Sequence, residues 1–127
     1  MPSRDIKDLI PELQPLAAAF LVEVAKELPP DVEVRITCTY RSQQEQDQIY
    51  AQGRTTPGKI VTWARNSEHT TRRAFDFGLF RHGCYLSGNN ALDLEMYDHV
   101  GSIGKQLGLV WGGDFRHKDR MHFQLGG

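Results

Sequence analysis

The chain has 127 residues, 39% hydrophobic and 24% charged, with a formal net charge of −1. That balance excludes a disordered chain and a broad electrostatic footprint for nucleic acid. No run approaches the ~20 apolar residues of a membrane-spanning helix, so no membrane insertion is expected, and the length suits one domain, 1–127.

The opening "MPSRDIKDLI" carries charges where a signal peptide would place its apolar core, so synthesis in the cytoplasm is the expectation. Residues 12–28 space Leu13, Ala17, Phe20, Leu21, Val24 and Leu28 on one helical face, with Pro15 tolerated near the first turn. "PPD" stops that helix, and "VEVRITCTY" then alternates Val32, Val34, Ile36 and Cys38 with polar neighbours, the period of a half-buried strand. In 41–53, Ser42 and Glu45 form a capping-box pattern and Gly53 ends the helix. "RTTPGKIVTWARN" is turn-rich, with a short extended piece expected around Ile60 to Trp63.

Residues 73–80 read as a strand with Asp76 on one face and Phe75, Phe77 and Leu79 on the other. "RHGCYLSGNN" is a loop or hairpin, and 91–107 a helix in which Gly101 and Gly104 weaken propensity and mark close packing. "LVWGGDF" reads as strand then turn, and 121–125 as a closing strand with His122 and Gln124 on one face. The order predicts an α+β domain with a small antiparallel sheet and about three helices. Cys38 and Cys84 are too few for a disulfide framework and are expected as reduced packing residues.

His69 in a loop, Asp76 in a strand and His122 in the last strand supply two imidazoles and one carboxylate. This is a common catalytic zinc set that leaves a fourth position for water. Zinc so bound acidifies water towards a pKa of ~7 and polarises a carbonyl, and Asp119, three residues before His122, is placed to act as the base. Five histidines and sixteen acids also offer such triples by chance. The competing reading makes His69 a surface loop residue, Asp76 a cap acceptor and His122 a satisfied sheet histidine.

The segment "SEHTTRRAFDF" resembles the S-x-H-x-x-G-x-A-x-D signature of zinc peptidases that cleave bacterial cell-wall peptides. These are the D-Ala-D-Ala carboxypeptidases and dipeptidases and the L-alanyl-D-glutamate endopeptidases, which share a fold with the hedgehog signalling domain. "TYRSQQEQDQIYAQGRTTPGKIVTWA" is similar to the segment preceding that signature in the endopeptidase branch, and "WGGDFRHKDRMHFQL" to the closing motif. The three blocks keep family order and span roughly residues 36–125.

The resemblance implies His69, Asp76 and His122 as ligands of Zn2+, Asp119 as general base and Arg41 as the residue that steadies the oxyanion. It also implies that Ser67 and Gln46 bind substrate or orient the site. Arg72 stands where the family has glycine, which suggests a different loop path and an arginine projecting into the groove, the alternative being a solvent-facing side chain. Trp111 lines the cleft or belongs to the core. His117 is expected near the site or on the surface, and His82 and His99 as bystanders.

The function implied is a peptidoglycan stem-peptide endopeptidase, acting as a monomer in the manner of a phage lysin that reaches the wall after release. The alternatives are a D-Ala-D-Ala carboxypeptidase or dipeptidase, and a non-catalytic metal-stabilised binding module. A hydrolase using Cys84 as nucleophile lacks a motif.

Overall fold

The structure, a computed structural model, describes residues 2–126. It has three α-helices and a five-stranded antiparallel sheet, the α+β arrangement expected. Helix α1 (Gln14–Glu27) carries Pro15 in its first turn, where the ring costs no hydrogen bond. Strand β1 (Val32–Cys38) follows, then α2 (Gln43–Ala51), whose capping box is complete. Glu45 N–H donates to Ser42 Oγ at 3.1 Å, and Ser42 N–H donates to Glu45 Oε1 at 2.9 Å.

A 3-10 turn (Glu68–Thr71) leads into β2 (Ala74–Arg81), which hairpins through His82 and Gly83, both with positive φ, to the short β3 (Cys84–Tyr85). Helix α3 (Ala91–Gln106), β4 (Val110–Trp111), a 3-10 turn (Gly112–Asp114) and β5 (His122–Gln124) complete the chain. The sheet order is β1-β2-β5-β4, with β3 paired to β2.

The two faces of β2 divide the labour of the fold. Phe75, Phe77 and Leu79 are fully buried and join Phe123 of β5 against α1 and α3. The Phe20 ring of α1 stands 5.0–5.4 Å from those of Phe75, Phe77 and Phe123, a tilted aromatic cluster in which each pair adds about 1 kcal/mol beyond burial. Gly101 and Gly104 of α3 do mark close packing. A Cβ on either would overlap the rings of Trp111 and Phe123 respectively, so the sheet sits tight on the helix.

The opposite face carries Asp76 and His122. Cys38 of β1 pairs with Asp76 of β2, and Asp76 pairs with His122 of β5, so the three lie on one rung across adjacent strands. Directly opposed residues in an antiparallel ladder stand ~5 Å apart, so the ladder alone brings Asp76 and His122 within reach of each other.

The extended piece expected around Ile60 to Trp63 does not form a strand. Residues 54–66 are irregular and held by side chains of α2, of its C-cap and of the segment itself reaching backbone carbonyls. Gln46 bonds Ala64 O, Gln52 bonds Lys59 O and Arg54 bonds Thr62 O. Cys38 is buried as expected, but Cys84 is exposed at the hairpin and packs into no core; both are free thiols.

Candidate active site

The 3-10 turn that carries His69 is set by its caps. Ser67 Oγ accepts from His69 N–H at 3.1 Å, and at the other end Arg72 adopts the left-handed conformation (φ 64°, ψ 24°). Its N–H reaches the carbonyls of Glu68 and His69, and the chain reverses into β2. That reversal aims His69 back over the strand face bearing Asp76.

The geometry is convergent. His69 Nε2 lies 3.1 Å from Asp76 Oδ1, and His122 Nδ1 lies 3.0 Å from the same oxygen. The far nitrogen of each ring faces a carbonyl oxygen: His69 Nδ1–H donates to Thr39 O at 3.3 Å, and His122 Nε2–H to Gln124 Oε1 at 2.8 Å. A carbonyl can only accept, so each ring hydrogen is drawn outward and each inner nitrogen presents its lone pair to the carboxylate. Two lone pairs and an anionic oxygen repel unless a cation lies among them.

Donor atoms held about 2.0–2.1 Å from a tetrahedral zinc stand about 3.3 Å apart, close to the spacing here, and the outward hydrogen bonds are the usual support of metal-binding imidazoles. The donor set therefore fits a zinc ion. Cys38 Sγ approaches the Nδ1 edge of His69 at 3.7 Å, the edge turned away from Asp76.

A proton meets the same need for a cation when no metal is bound. Burial alone would lower the pKa of His69, but the hydrogen bonds and charges of Asp76 and Cys38 outweigh it and raise it to about 10. Burial would raise Asp76, yet its bonds to His122 and His69 hold the carboxyl well below the usual carboxylate range. Asp119 is shifted upward, first by burial and then by the Asp76 charge. Its carboxylate lies within 4.8 Å of the ligating atoms of Asp76 and His122. Its backbone is fixed by Asp119 N–H donating to Gly112 O at 2.8 Å, and a Cβ on Gly112 would strike the Asp119 carbonyl. Glycine at 112 is thus what lets the loop bring Asp119 to the cluster.

Arg41 stands on the other side. Nη1 donates to Gln46 Oε1 at 2.8 Å, and Nη2 lies 3.9 Å from Asp76 Oδ2. Arg41, Ser67, His69, Asp76, Asp119 and His122 all line one open cleft of about 820 Å³.

Three expected substrate contacts are placed elsewhere. Gln46 is fully buried; its amide bonds Arg41 and, at 2.5 Å, Ala64 O, so it positions the arginine and the loop. Trp111 is packed under α3, its ring in the space left by Gly101 and Gly113 and its Nε1–H donating to Arg120 O at 2.8 Å. Arg72 does not line the groove. Its guanidinium sits 4.0 Å from the Tyr40 ring centroid and bonds Asp8 O at 3.1 Å, while its backbone keeps the positive φ that glycine would favour.

Other cleft residues carried no signal in the sequence. Trp63 is 60% exposed and stacks on His117 at 4.2 Å, within 13° of parallel. Tyr85 lies against Gly78, where a Cβ would meet its ring at 2.9 Å, and its hydroxyl is 2.8 Å from Met121 Sδ. Both come from irregular or hairpin segments without periodicity. Gln124 had one usable signal, its i+2 relation to His122 on a strand.

Residues 61–125 match the D-alanyl-D-alanine carboxypeptidase family. The chain is 40% identical over 107 residues to the peptidoglycan L-alanyl-D-glutamate endopeptidase CwlK of Bacillus subtilis, a match covering 74% of this chain and 61% of that protein. Among solved structures it is similar to the Serratia marcescens L-Ala D-Glu endopeptidase ChiX (TM-score 0.71, 18% identity, 99% of this chain and 89% of that one). It is also similar to the vancomycin-resistance D,D-pentapeptidase VanY in complex with Zn(II) (TM-score 0.61, 15% identity, 94% and 73%). At those identities the structural likeness concerns the fold. With the match of residues 61–125 extending over half of its length, the chain belongs to the D-alanyl-D-alanine carboxypeptidase family of peptidases.

Proposed function

We propose that the protein is a zinc-dependent peptidoglycan peptidase that cleaves the L-alanyl-D-glutamate bond of stem peptides. The observation that carries the reading is the convergence of His69 Nε2 and His122 Nδ1 on one oxygen of Asp76, with Asp119 and Arg41 facing the same cleft. The preference for this bond rests on CwlK, whose 40% identity runs through most of the chain.

In this reading His69, Asp76 and His122 hold the zinc, which supplies Lewis acidity to a substrate carbonyl and lowers the pKa of water. Asp119 takes the proton of the attacking water on its carboxylate and delivers it to the leaving amine. Its upward-shifted pKa gives it more proton affinity than an ordinary carboxylate. Arg41, permanently charged and held by Gln46, offers N–H groups where negative charge develops on the carbonyl oxygen. Ser67 orients His69 from the cleft wall.

Digestion of purified peptidoglycan followed by mass spectrometry tests the assignment. New N-terminal D-glutamate, abolished by chelation and restored by zinc, is the expected result. Released D-alanine without it would overturn the bond assignment in favour of a carboxypeptidase. Asp119→Ala should lose turnover and keep its zinc; loss of the metal would mean that base and ligand roles are exchanged. Lytic deployment from the cytoplasm belongs to the same proposal. Its test is expression with and without a membrane-permeabilising protein, where lysis only in the first case supports it and lysis in both refutes it.

A further inference from the structure

Residues 115–118 form one wall of the cleft, and their side chains are engaged at every position but one. The Phe115 ring centroid lies 5.7 Å from that of His122. His117 is stacked flat on Trp63, and Lys118 Nζ donates to Gly113 O at 3.1 Å. Arg116, between them, lines the same cleft with an exposed side chain and makes no hydrogen bond or ion pair with any described residue. Its backbone is thus fixed on both sides while its guanidinium is uncommitted. The other arginine of the cleft, Arg41, is occupied by Gln46 and faces Asp76.

We propose that Arg116 is a specificity-determining residue that receives the free carboxylate of the glutamyl residue at the cleaved bond. The inference rests on the endopeptidase reading above and deepens it. A glutamyl residue carries two carboxyl groups, and only one continues the peptide. The other remains an anion unless it is converted to an amide. A free carboxylate that leaves water for the cleft needs a partner there, and a cation on the wall supplies one. Guanidinium matches a carboxylate with two parallel N–H donors, a geometry that a neutral primary amide cannot reproduce with both of its atoms accepting. Arg116 therefore separates substrates with the free acid from those with the amide.

The test compares two synthetic peptides containing L-Ala-D-Glu, one with the free side carboxylate and one with the primary amide, on the zinc-loaded protein. The expected preference for the acid in kcat/KM is about two- to fivefold, the range that one ion pair at an exposed site supplies. Arg116→Gln should bring the ratio close to one, and Arg116→Lys should leave it intermediate, since an ammonium keeps the charge and loses the fork. Lys118→Gln, an equal loss of charge on the same loop, should keep the preference. A wild-type ratio near one, or a ratio that survives Arg116→Gln, would overturn the proposal while leaving the endopeptidase reading standing. An equal collapse in Lys118→Gln would overturn it in favour of a diffuse basic rim. Failure to cut either peptide would strike the endopeptidase reading itself.

Discussion

Replacing Arg72 separates the two things its position does. The residue sits at φ 64°, where an L side chain is strained by about 1–2 kcal/mol relative to right-handed backbone. Against that strain stand the Tyr40 contact, worth about 0.5–1 kcal/mol at an exposed site, and a half-exposed pair with Asp8 at 3.7 Å that adds at most about 1 kcal/mol. Arg72→Ala loses the contacts and keeps the strain, so it should destabilise by about 1–2 kcal/mol. Arg72→Gly loses the same contacts and sheds the strain, offset by the extra entropy of glycine in the unfolded chain. Glycine should therefore be the more stable variant by about 1 kcal/mol, or about 4 °C in Tm for a chain of this length. Thermal unfolding followed by circular dichroism reads the difference. Both variants should keep peptidase activity, because the guanidinium points to Tyr40 and Asp8 and away from the cleft. Alanine equal to or better than glycine would refute the conformational argument. A tenfold loss of activity in both would refute the placement of the side chain.

Gln46→Leu removes the amide that joins Arg41 to Ala64. It should lower stability by about 1–3 kcal/mol through orphaned buried groups, and in steady-state kinetics kcat should fall more than KM rises. Gln124→Leu removes the acceptor of His122 Nε2–H, and titration against a competing chelator should show zinc affinity reduced about 10–100-fold. The chelated protein should be most stable between about pH 4 and 6.5. The depressed Asp76 contributes stability above the usual carboxylate pKa and loses it as pH falls. His69, raised to about 10, contributes fully below its ordinary 6.5 and loses that contribution as pH rises through 10. Unfolding midpoints measured from pH 4 to 10 should fall on the alkaline side with chelator and hold when zinc replaces the proton. A flat alkaline limb in the chelated protein would show that the His69–Asp76 coupling is absent.

The helices and the main strands were legible because each rests on local periodicity or a short motif, whereas the triad was legible only through its resemblance to a family signature. The 3.6-residue spacing of α1, the capping box of α2 and the alternation of β2 are written in neighbouring residues. So is the spacing that puts a turn between His69 and Asp76. The irregular segment 54–66 misread as partly extended has no such period. Its path is dictated by side chains that bond its carbonyls, Gln46 from α2, Gln52 at the helix end and Arg54 across the segment itself. Gln46, Trp111 and Arg72 were the misplaced site residues for a related reason. A polar or aromatic side chain beside a motif looks available for substrate until the partner that engages it is known.

By itself, then, the sequence determined which residue types are present and where the backbone must curl, extend or turn, since those preferences act over three or four residues. Only the tertiary structure decided that Cys38, Asp76 and His122 share one rung of the sheet. It alone decided that Gly112 admits the Asp119 loop, and that Arg72 holds a glycine conformation with its side chain turned outward. Those outcomes depend on strand register and on contacts between segments tens of residues apart, and such long-range pairings leave no local period to read.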